Sequence, residues 1–255
     1  MKKFLSFLLV AFMLVSLVAC GAPATEVNEG GKHFVIATDK GFSPFEFQDA
    51  AGNIVGIDMD IMAAIAEDQG FTYDLQYIGW DAAIAACQAG QADGMIAGAS
   101  ITEERKANGW TFSEGYYDAT QGMAVAVDSD VTGFADLSGK KVAVKNGTMS
   151  NQYAENIKAE YGFEVVTFAT SPDMYQAVMG GQVDACIDDT PILKYNIKTG
   201  ELAMKFVDGT ENEPAQYGMA IFDTSKQELI DLFNEGLKNI RANGKYDEII
   251  AKYLG

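Results

Sequence analysis

The fold of this chain is decided by the stretch at residues 141–198, which reads KVAVKNGTMSNQYAENIKAEYGFEVVTFATSPDMYQAVMGGQVDACIDDTPILKYNIK. Short apolar runs alternate in it with longer helical patterns. Strands are predicted over 141–145, 164–168 and 183–187, and helices over 150–161, 172–179 and 190–198. Strands that alternate with helices form a parallel sheet covered by those helices. This stretch therefore predicts an α/β unit.

An earlier part of the chain repeats the alternation, with strands predicted over 34–38, 73–78 and 94–97 and helices over 58–69 and 81–89. Both parts also contain one short pattern: Ala86-x-x-x-Gly90-Gln91-x-Asp93 matches Ala177-x-x-x-Gly181-Gln182-x-Asp184. We interpret these turns as structural, with glycine at a helix-to-strand corner and aspartate as a local cap. Two α/β lobes of like design explain the repeat. Helices predicted over 223–243 and 246–253 close the chain.

The first 19 residues have the pattern of an export signal. Lys2 and Lys3 precede an apolar run over 4–18, and Cys20 directly follows a small residue. That cysteine supplies the thiol that lipid attachment needs, so we expect cleavage before Cys20 and a lipid on it. An uncut transmembrane anchor is the alternative, but the run has only about 15 residues against the ~20 needed to span a bilayer. Residues 20–32 are then a flexible tether.

The charge balance bears on partners and location. The chain has 36 acidic and 18 basic residues, which gives a net charge of −18 at pH 7. Nucleic-acid binding is therefore not expected. Anionic lipid head groups are repelled too, so we expect the acyl chain on Cys20 to hold the protein at the membrane. The predicted location is the outer face of the cell membrane, with the periplasm as the alternative.

The cysteines and the single histidine limit the kinds of functional site that the sequence predicts. Cys87 and Cys186 lie among apolar neighbours and are predicted to be buried free thiols, with a disulfide as the alternative that export permits. His33 is the only histidine, and no CxxC or HExxH spacing occurs, so no metal site is predicted. Histidine-dependent nucleophilic catalysis is excluded for the same reason.

Two loops of the first lobe follow the carboxyl ends of predicted strands, where open α/β sheets place their ligands. The loop from Asp39 to Phe45 presents a carboxylate three residues from the ring of Phe42. The loop from Gly98 leads to Thr102, a plausible N-cap, which places Arg105 in the first turn of a helix. An arginine at that positive helix end indicates an anion, and its planar fork suits a carboxylate. A surface ion pair with Glu103 or Glu104 is the alternative.

The second lobe offers two further loops of this kind. Lys145-Asn-Gly-Thr-Met-Ser150 is a glycine turn that opens a helix and presents backbone N–H groups. Asp188 and Asp189 follow the strand predicted over 183–187 and precede a proline at a helix start. A plain helix cap is the alternative role for Asp188 and Asp189.

Motifs that carry a family resemblance cover nearly the whole chain after residue 32: Asp39-x-x-Phe42-x-Pro44-Phe45-Glu46-Phe47, Gly56-Ile57-Asp58-Met59-Asp60, Trp80-Asp81, Ser100-Ile101-Thr102-x-x-Arg105, Phe112-Ser113, Tyr116-Tyr117, Gly147-Thr148 and Asp189-Thr190-Pro191. The chain thereby resembles the extracellular solute-binding proteins that serve ABC importers of polar amino acids. The resemblance implies a type II periplasmic-binding-protein fold, with lobe 1 at 33–120 and 219–255, lobe 2 at 121–218 and a two-strand hinge near 119–123 and 215–219. It implies a monomer without a cofactor, whose partners are an amino acid and a membrane permease.

The resemblance also implies a role for each candidate residue. Arg105 and Ser100 would bind the ligand α-carboxylate, with N–H groups near Thr148 and Met149. Asp189 would accept from the α-ammonium. Phe42 and Trp80 would enclose the aliphatic stem, and core packing is the alternative for Trp80.

The predicted ligand is glutamine. The resemblance is strongest to glutamine-binding proteins, which share Ala97-Gly98, Val142–Lys145 and Asp189–Pro191. A side-chain amide could donate to Asp39 and accept from Lys145, whereas a cationic side chain would meet Lys145. Two positions depart from the pattern: Asp188 stands where those proteins have a histidine, and Met149 replaces a glycine.

Two alternatives remain beside glutamine. Because Asp188 adds negative charge, a preference for arginine, lysine or histidine is open if Lys145 points away from the ligand. A dehydratase on the same scaffold, with Asp188 or Asp39 as the acid or base, is the enzyme alternative; the sequence favours a binding protein over an enzyme.

Overall fold

Two five-stranded sheets form the framework of residues 31–255, the part of the chain that this computed structural model describes. The predicted signal at 1–19, the lipid site at Cys20 and all but the last two residues of the predicted tether lie outside the described residues. Within residues 31–255, no helix is long and apolar enough to cross a membrane.

The elements follow one another in two stretches. The first contains β1 (His33–Thr38), β2 (Phe47–Gln48), β3 (Ile54–Val55), α1 (Ile57–Gln69), β4 (Thr72–Tyr77), α2 (Trp80–Gln88), β5 (Gly94–Met95), α3 (Glu103–Ala107), β6 (Thr111–Phe112) and β7 (Tyr117–Ala119). The second contains β8 (Gln121–Ala126), β9 (Lys141–Lys145), α4 (Met149–Tyr161), β10 (Glu164–Phe168), α5 (Ser171–Met179), β11 (Ala185–Asp189), α6 (Thr190–Lys198), β12 (Met204–Val207), β13 (Ala215–Tyr217), β14 (Ala220–Ile221), α7 (Gln227–Ala242) and α8 (Lys245–Leu254).

The first sheet has the strand order β4-β1-β5-β14-β6. Strands β4, β1 and β5 are parallel, and β14 runs antiparallel to its two neighbours. Helix α7 packs on α1 and buries the predicted stripe of Leu229, Phe233, Leu237 and Ile240. The two helices approach closely at Gly236, where a Cβ would come within 2.7 Å of Ile65.

The second sheet has the order β10-β9-β11-β8-β12, with the first three strands parallel and the last two antiparallel to the strands beside them. Its core is aliphatic: Val142, Val144 and Ile187 have no exposed surface. The predicted fold class is thus confirmed, because both halves are parallel-centred sheets covered by helices.

A two-stranded ladder joins the halves. Strands β7 and β13 pair antiparallel, with Ala215 opposite Ala119 and Tyr217 opposite Tyr117. The chain leaves the first sheet through β7 and returns to it through β13. This ladder overlaps the predicted hinge at Ala119 and at 215–217, while residues 121–126 belong to the second sheet. The exact lobe boundaries, at 120/121 and 218/219, stay a prediction.

Most predicted elements lie within one residue of the observed ones, and three differ by two residues or more. The strand predicted over 183–187 is Ala185–Asp189, because Asp184 still belongs to the turn and binds the first amide of β9. The strand predicted over 94–97 pairs only at Gly94–Met95. The helix predicted from residue 223 begins at Gln227 after a short 3₁₀ turn over Thr224–Lys226.

Cys87 and Cys186 are both buried and free, as predicted. Burial raises the pKa of the Cys87 thiol to about 12, and the nearby charge of Asp93 adds to that shift. Such thiols remain protonated near neutral pH and pack as small apolar groups.

Candidate functional site

One cavity between the two sheets collects the candidate residues. It is lined by Asp39, Phe42, Trp80, Ala97, Gly98, Ser100, Arg105, Lys145, Thr148, Met149, Asp188 and Asp189. These are the twelve positions predicted from sequence, and the structure brings all of them together. The cavity forms here because the loops after β1, β5, β9 and β11 all leave the sheets at their carboxyl ends.

Asp39 and Lys145 form a buried ion pair across the cavity. Asp39 follows β1 in the first half, and Lys145 is the last residue of β9 in the second. Their side chains keep only 4% and 3% of their surface exposed. The Lys145 Nζ also lies 5.4 Å from the ring centroid of Phe42 and 5.7 Å from that of Trp80. One cation of the second half is thus held by an anion and two aromatic rings of the first.

Arg105 lies in the short helix α3, whose N-cap is Thr102 as predicted. The Thr102 hydroxyl accepts from the Arg105 backbone N–H at 3.1 Å. The guanidinium donates to the carbonyl of Ser100 at 2.8 Å and to that of Gly147, in the other half, at 3.4 Å. Both contacts are to backbone, and Glu103 instead pairs with Lys106 at 2.8 Å.

Two tryptophans flank the Arg105 guanidinium. Its central carbon lies 5.1 Å from the ring centroid of Trp80 and 5.0 Å from that of Trp110. Burial lowers the pKa of Arg105 to about 10, while the charges of Asp189 and Glu104 act in the opposite direction. The guanidinium therefore stays cationic near neutral pH, in a place where few water molecules screen its charge.

The amino end of α4 faces the cavity beside Arg105. Thr148 is the N-cap, and its hydroxyl accepts from the Asn151 N–H at 3.3 Å and donates to the Lys145 carbonyl at 2.8 Å. Met149 is the first helical residue. The first N–H groups of a helix have no partner within it, so this end favours an anion.

Asp189 provides a carboxylate in the same cavity. It ends β11 and is the N-cap of α6. One oxygen accepts from Gln121 Nε2 at 2.7 Å and from Ser150 Oγ at 3.3 Å, and the other accepts from the Tyr217 hydroxyl. Burial, together with the charge of Asp188, raises the pKa of Asp189 to about 6, although the three hydrogen bonds lower it.

Asp188 lines the cavity but is held by groups of its own half. One oxygen accepts from the Tyr175 hydroxyl at 2.5 Å and from Ser171 Oγ at 2.9 Å. The other accepts from the backbone N–H of Asp189 at 2.9 Å. Burial raises the pKa of Asp188, and the hydrogen bond from Tyr175 is the largest opposing influence.

Phe42 and Trp80 are buried, with 6% and 5% of their surface exposed. Trp80 is the first residue of α2, after Gly79 in a left-handed region at φ 97°. Its indole Nε1–H is buried and has no hydrogen-bond partner among residues 31–255. A buried donor without an acceptor is costly in water-free surroundings, so a ligand oxygen would stabilise it.

Sequence reasoning missed three residues that shape the site: Trp110, Tyr217 and Gln121. Gln121 and Tyr217 both lie within segments predicted as the hinge, which is a signal that could have indicated them. Trp110 belongs to no quoted motif, and its role depends on contacts across the fold.

The comparisons with known proteins agree with this geometry. Residues 34–255 match the model of one family, described as bacterial extracellular solute-binding proteins, family 3. The chain belongs to this family. A relative is the arginine-binding extracellular protein ArtP of Bacillus subtilis (strain 168), 29% identical over 254 residues that make up 100% of this chain and 98% of ArtP.

Two solved structures show the same fold as this family 3 solute-binding protein. An ancestral arginine-binding protein, bound to glutamine in that structure, is 33% identical with a TM-score of 0.79, over 88% of this chain and 98% of that one. The substrate-binding protein of an amino acid ABC transporter is 31% identical with a TM-score of 0.79, over 87% and 99% of the two chains.

Proposed function

We propose that this protein captures an amino acid outside the cell, in the cavity between its two halves, and delivers it to the permease of an ABC importer. The family is one of extracellular solute-binding proteins. ArtP is named for arginine, and one of the similar structures belongs to an amino acid ABC transporter. These names support an amino acid as the solute.

The observation that carries the proposal is the opposite charge on two sides of one buried cavity. Arg105 and the amino end of α4 provide a cation and N–H donors for an α-carboxylate. Asp189 provides an acceptor for an α-ammonium. Because Arg105 comes from the first half and Asp189 from the second, a zwitterion that binds both favours the closed arrangement of the halves.

Glutamine is the proposed side-chain preference. The Asp39–Lys145 ion pair marks where the ligand side chain would end, and an amide satisfies both partners by donating to Asp39 and accepting from Lys145. A guanidinium or ammonium would be repelled by Lys145, whose charge is desolvated there. The ancestral relative bound to glutamine is consistent with an amide on this scaffold.

A cationic amino acid is the second candidate, favoured by the names of ArtP and of the ancestral arginine-binding protein. It requires Lys145 to turn away and leave Asp39 to the ligand. Calorimetry on the purified protein with glutamine, arginine, lysine and histidine separates the two. We expect glutamine to bind at least about tenfold more tightly than arginine; the reverse order would establish the second candidate.

The variant Lys145→Met sharpens that experiment because methionine keeps most of the length of the side chain and removes its charge. Glutamine affinity should then fall by about tenfold or more, and arginine affinity should rise. Lys194→Met, at an exposed ion pair with Glu211, is the matched control and should change neither. Unchanged glutamine affinity in Lys145→Met would contradict the proposed side-chain contact.

Catalysis is not part of the proposal. Asp188 accepts three hydrogen bonds from its own half, and Asp39 is paired with Lys145, so both predicted acid–base candidates have structural partners. Incubation with prephenate-like acids tests this reading, since formation of a product would favour the dehydratase alternative.

Export and lipid attachment at Cys20 complete the proposal, with the protein held at the outer face of the membrane as a monomer. Metabolic labelling with a fatty acid should mark the wild-type protein and leave Cys20→Ser unlabelled. Cys87→Ser, at a buried thiol, is the control and should be labelled like the wild type.

A further inference from the structure

Two acidic side chains are buried together below the cavity and have no part in the binding roles above. Glu46 and Asp58 have no exposed surface. Both carboxyl oxygens of Glu46, and Oδ1 of Asp58, accept no hydrogen bond from any group within residues 31–255. Three buried carboxyl oxygens without donors are unusual in a folded protein, so they need a physical explanation.

The side chains of Glu46 and Asp58 adjoin each other, so a proton on one carboxyl group would join one oxygen of each in a hydrogen bond. The remaining oxygen of Asp58, Oδ2, already accepts from the backbone N–H of Gly98 and from the Tyr116 hydroxyl, each at 2.9 Å. Asp58 is therefore suited to be the anion of the pair. Glu46, which receives no such donors, is suited to be the neutral acid.

The charges around the pair agree with that assignment. Burial raises the pKa of Glu46 well above its ordinary value, the charges of Asp58 and Asp39 raise it further, and Lys145 only partly opposes them. Burial also raises the pKa of Asp58, to about 7, while its hydrogen bonds with Gly98 and Tyr116 lower it.

The pair is joined to the walls of the cavity at two places. Asp58 binds the amide of Gly98, a residue that lines the cavity and sits against Phe42: a Cβ at Gly98 would come within 2.6 Å of the Phe42 ring. The backbone of Glu46 binds Phe42 in both directions, with N···O distances of 2.8 and 3.3 Å. A change in the protonation of the pair would therefore affect Gly98 and Phe42, the two residues that would contact a ligand.

We propose that Glu46 carries a proton in the folded protein and donates it to Asp58, so that the pair is a single buried monoanion that positions Gly98 and Phe42 for ligand binding. Glu46 is then a positioning residue, and this role rests on the proposed function of the cavity. Because Glu46 carries this proton, folding and binding depend on pH through a residue that does not contact the ligand.

The sign of the dependence follows from proton linkage. Glu46 holds its proton in the folded state at pH values where the unfolded chain has lost it, so its contribution to stability decreases as pH rises above the ordinary range of a glutamate. The folding equilibrium constant should fall by about tenfold per pH unit through this window for one proton. Ligand affinity should weaken at alkaline pH, when a second negative charge forms under Gly98.

The experiment uses the full chain and three variants. Glu46→Gln keeps a hydrogen-bond donor to Asp58 and cannot ionise, whereas Glu46→Ala removes the donor. Glu67→Gln changes the same charge at an exposed position of α1, the helix that carries Asp58, and is the matched control. The readouts are the infrared band of a protonated carboxylic acid, stability to urea between about pH 5 and about pH 9, and calorimetry with glutamine.

We expect the infrared band in the wild type and in Glu67→Gln near neutral pH and its loss in Glu46→Gln. Glu46→Gln should bind glutamine as the wild type does, with a flatter pH profile of stability and affinity. Glu46→Ala should bind more weakly; if it does not fold, Asp58→Asn, which removes the anion, serves as the second variant. A wild type without the band, or a Glu46→Gln variant with an unchanged pH profile, would overturn the inference.

Failure of the proposed function would look different. A wild type that binds no amino acid but shows the band and the stability profile would refute the ligand assignment and keep the proton on Glu46. If the wild type binds glutamine but shows no band, the assignment of the proton to Glu46 is refuted and the assignment of the ligand stands.

Discussion

At the scale of single residues, Trp80 combines two properties that a substitution can separate. Its ring forms a wall of the cavity, and its Nε1–H has no acceptor within residues 31–255. Trp80→Phe keeps much of the apolar contact and removes the donor. If a ligand oxygen accepts from Nε1, affinity should fall by about threefold to tenfold, since one neutral hydrogen bond contributes roughly 0.5–1.5 kcal/mol.

Calorimetry and thermal unfolding of the same samples test that prediction, because loss of a buried unpaired donor should not lower the stability of the free protein. Trp110→Phe is the control: Trp110 also lies near the Arg105 guanidinium but does not line the cavity. Equal affinities of Trp80→Phe and wild type would mean that the indole N–H does not contact the ligand.

The pKa of Asp189 predicts how binding depends on pH. Burial, with the charge of Asp188, raises this pKa to about 6. An ammonium requires the ionised carboxylate, so glutamine affinity should fall below about pH 6, by about tenfold per pH unit for a single proton. The contribution of Asp189 to stability has the opposite sign, because a raised pKa means that the folded protein binds the proton more tightly than the unfolded chain does.

Affinity measured between about pH 4.5 and about pH 8 tests this, with Asp189→Asn as the control. That variant should bind weakly throughout and show little change across the same range. A wild-type affinity that is constant down to about pH 5 would show that Asp189 does not accept from the ligand ammonium.

Sequence and resemblance located the residues of the cavity but did not reveal their partners. All twelve lining positions follow strand ends or motifs, so a linear pattern was enough to find them. The partners of Asp188, by contrast, are Tyr175 and Ser171 on a neighbouring helix, and those contacts exist only after α5 packs on the sheet. The Asp39–Lys145 pair joins residues 106 positions apart and has no local signal at all.

At the scale of elements, the repeated turns at Gly90 and Gly181 are structural, as their φ values of 70° and 67° indicate. The expectation that their aspartates cap locally was wrong. Asp93 accepts from the backbone N–H of Val35 at 2.7 Å, and Asp184 accepts from that of Lys141 at 2.8 Å. Each aspartate therefore binds an amide near the start of a neighbouring parallel strand.

This role predicts the effect of Asp184→Ala. The variant leaves the first amide of β9 without its acceptor and should reduce the free energy of unfolding by about 1 kcal/mol. Urea unfolding measures the loss, and glutamine affinity should not change because Asp184 is remote from the cavity lining. Weaker binding with unchanged stability would instead give this turn a functional role.

The helices and longer strands were predictable because their apolar periodicity is local. The two-residue strands were not: β2 and β3, for example, pair with each other across a local turn but are too short to show a period. Strand β11 begins and ends two residues later than predicted, because Asp184 is held by a strand 43 positions earlier.

At the scale of the whole molecule, the two halves touch through contacts beside the cavity as well as inside it. The free space within the cavity is about 20 Å³, room for about one water molecule, so an amino acid must displace side chains or separate the halves to enter. Gln152 reaches Glu104 at one edge, and Asn196 reaches Ser43 at another. These edge contacts form only when the halves meet, so they contribute to closure without touching a ligand.

Asn196 gives a test of that coupling. Its Nδ2 donates across the interface to the Ser43 carbonyl at 3.2 Å and within its own helix to the Ile192 carbonyl at 2.8 Å. In Asn196→Ala the closed arrangement loses one hydrogen bond, and glutamine affinity should fall by about twofold to tenfold. The loss should appear as faster dissociation, because the contact is made after the ligand has bound.

Asn239→Ala, which removes a surface hydrogen bond to Asp68 within one half, is the control and should leave the association and dissociation rates unchanged. An unchanged dissociation rate in Asn196→Ala would mean that closure depends on the ligand and the cavity residues alone.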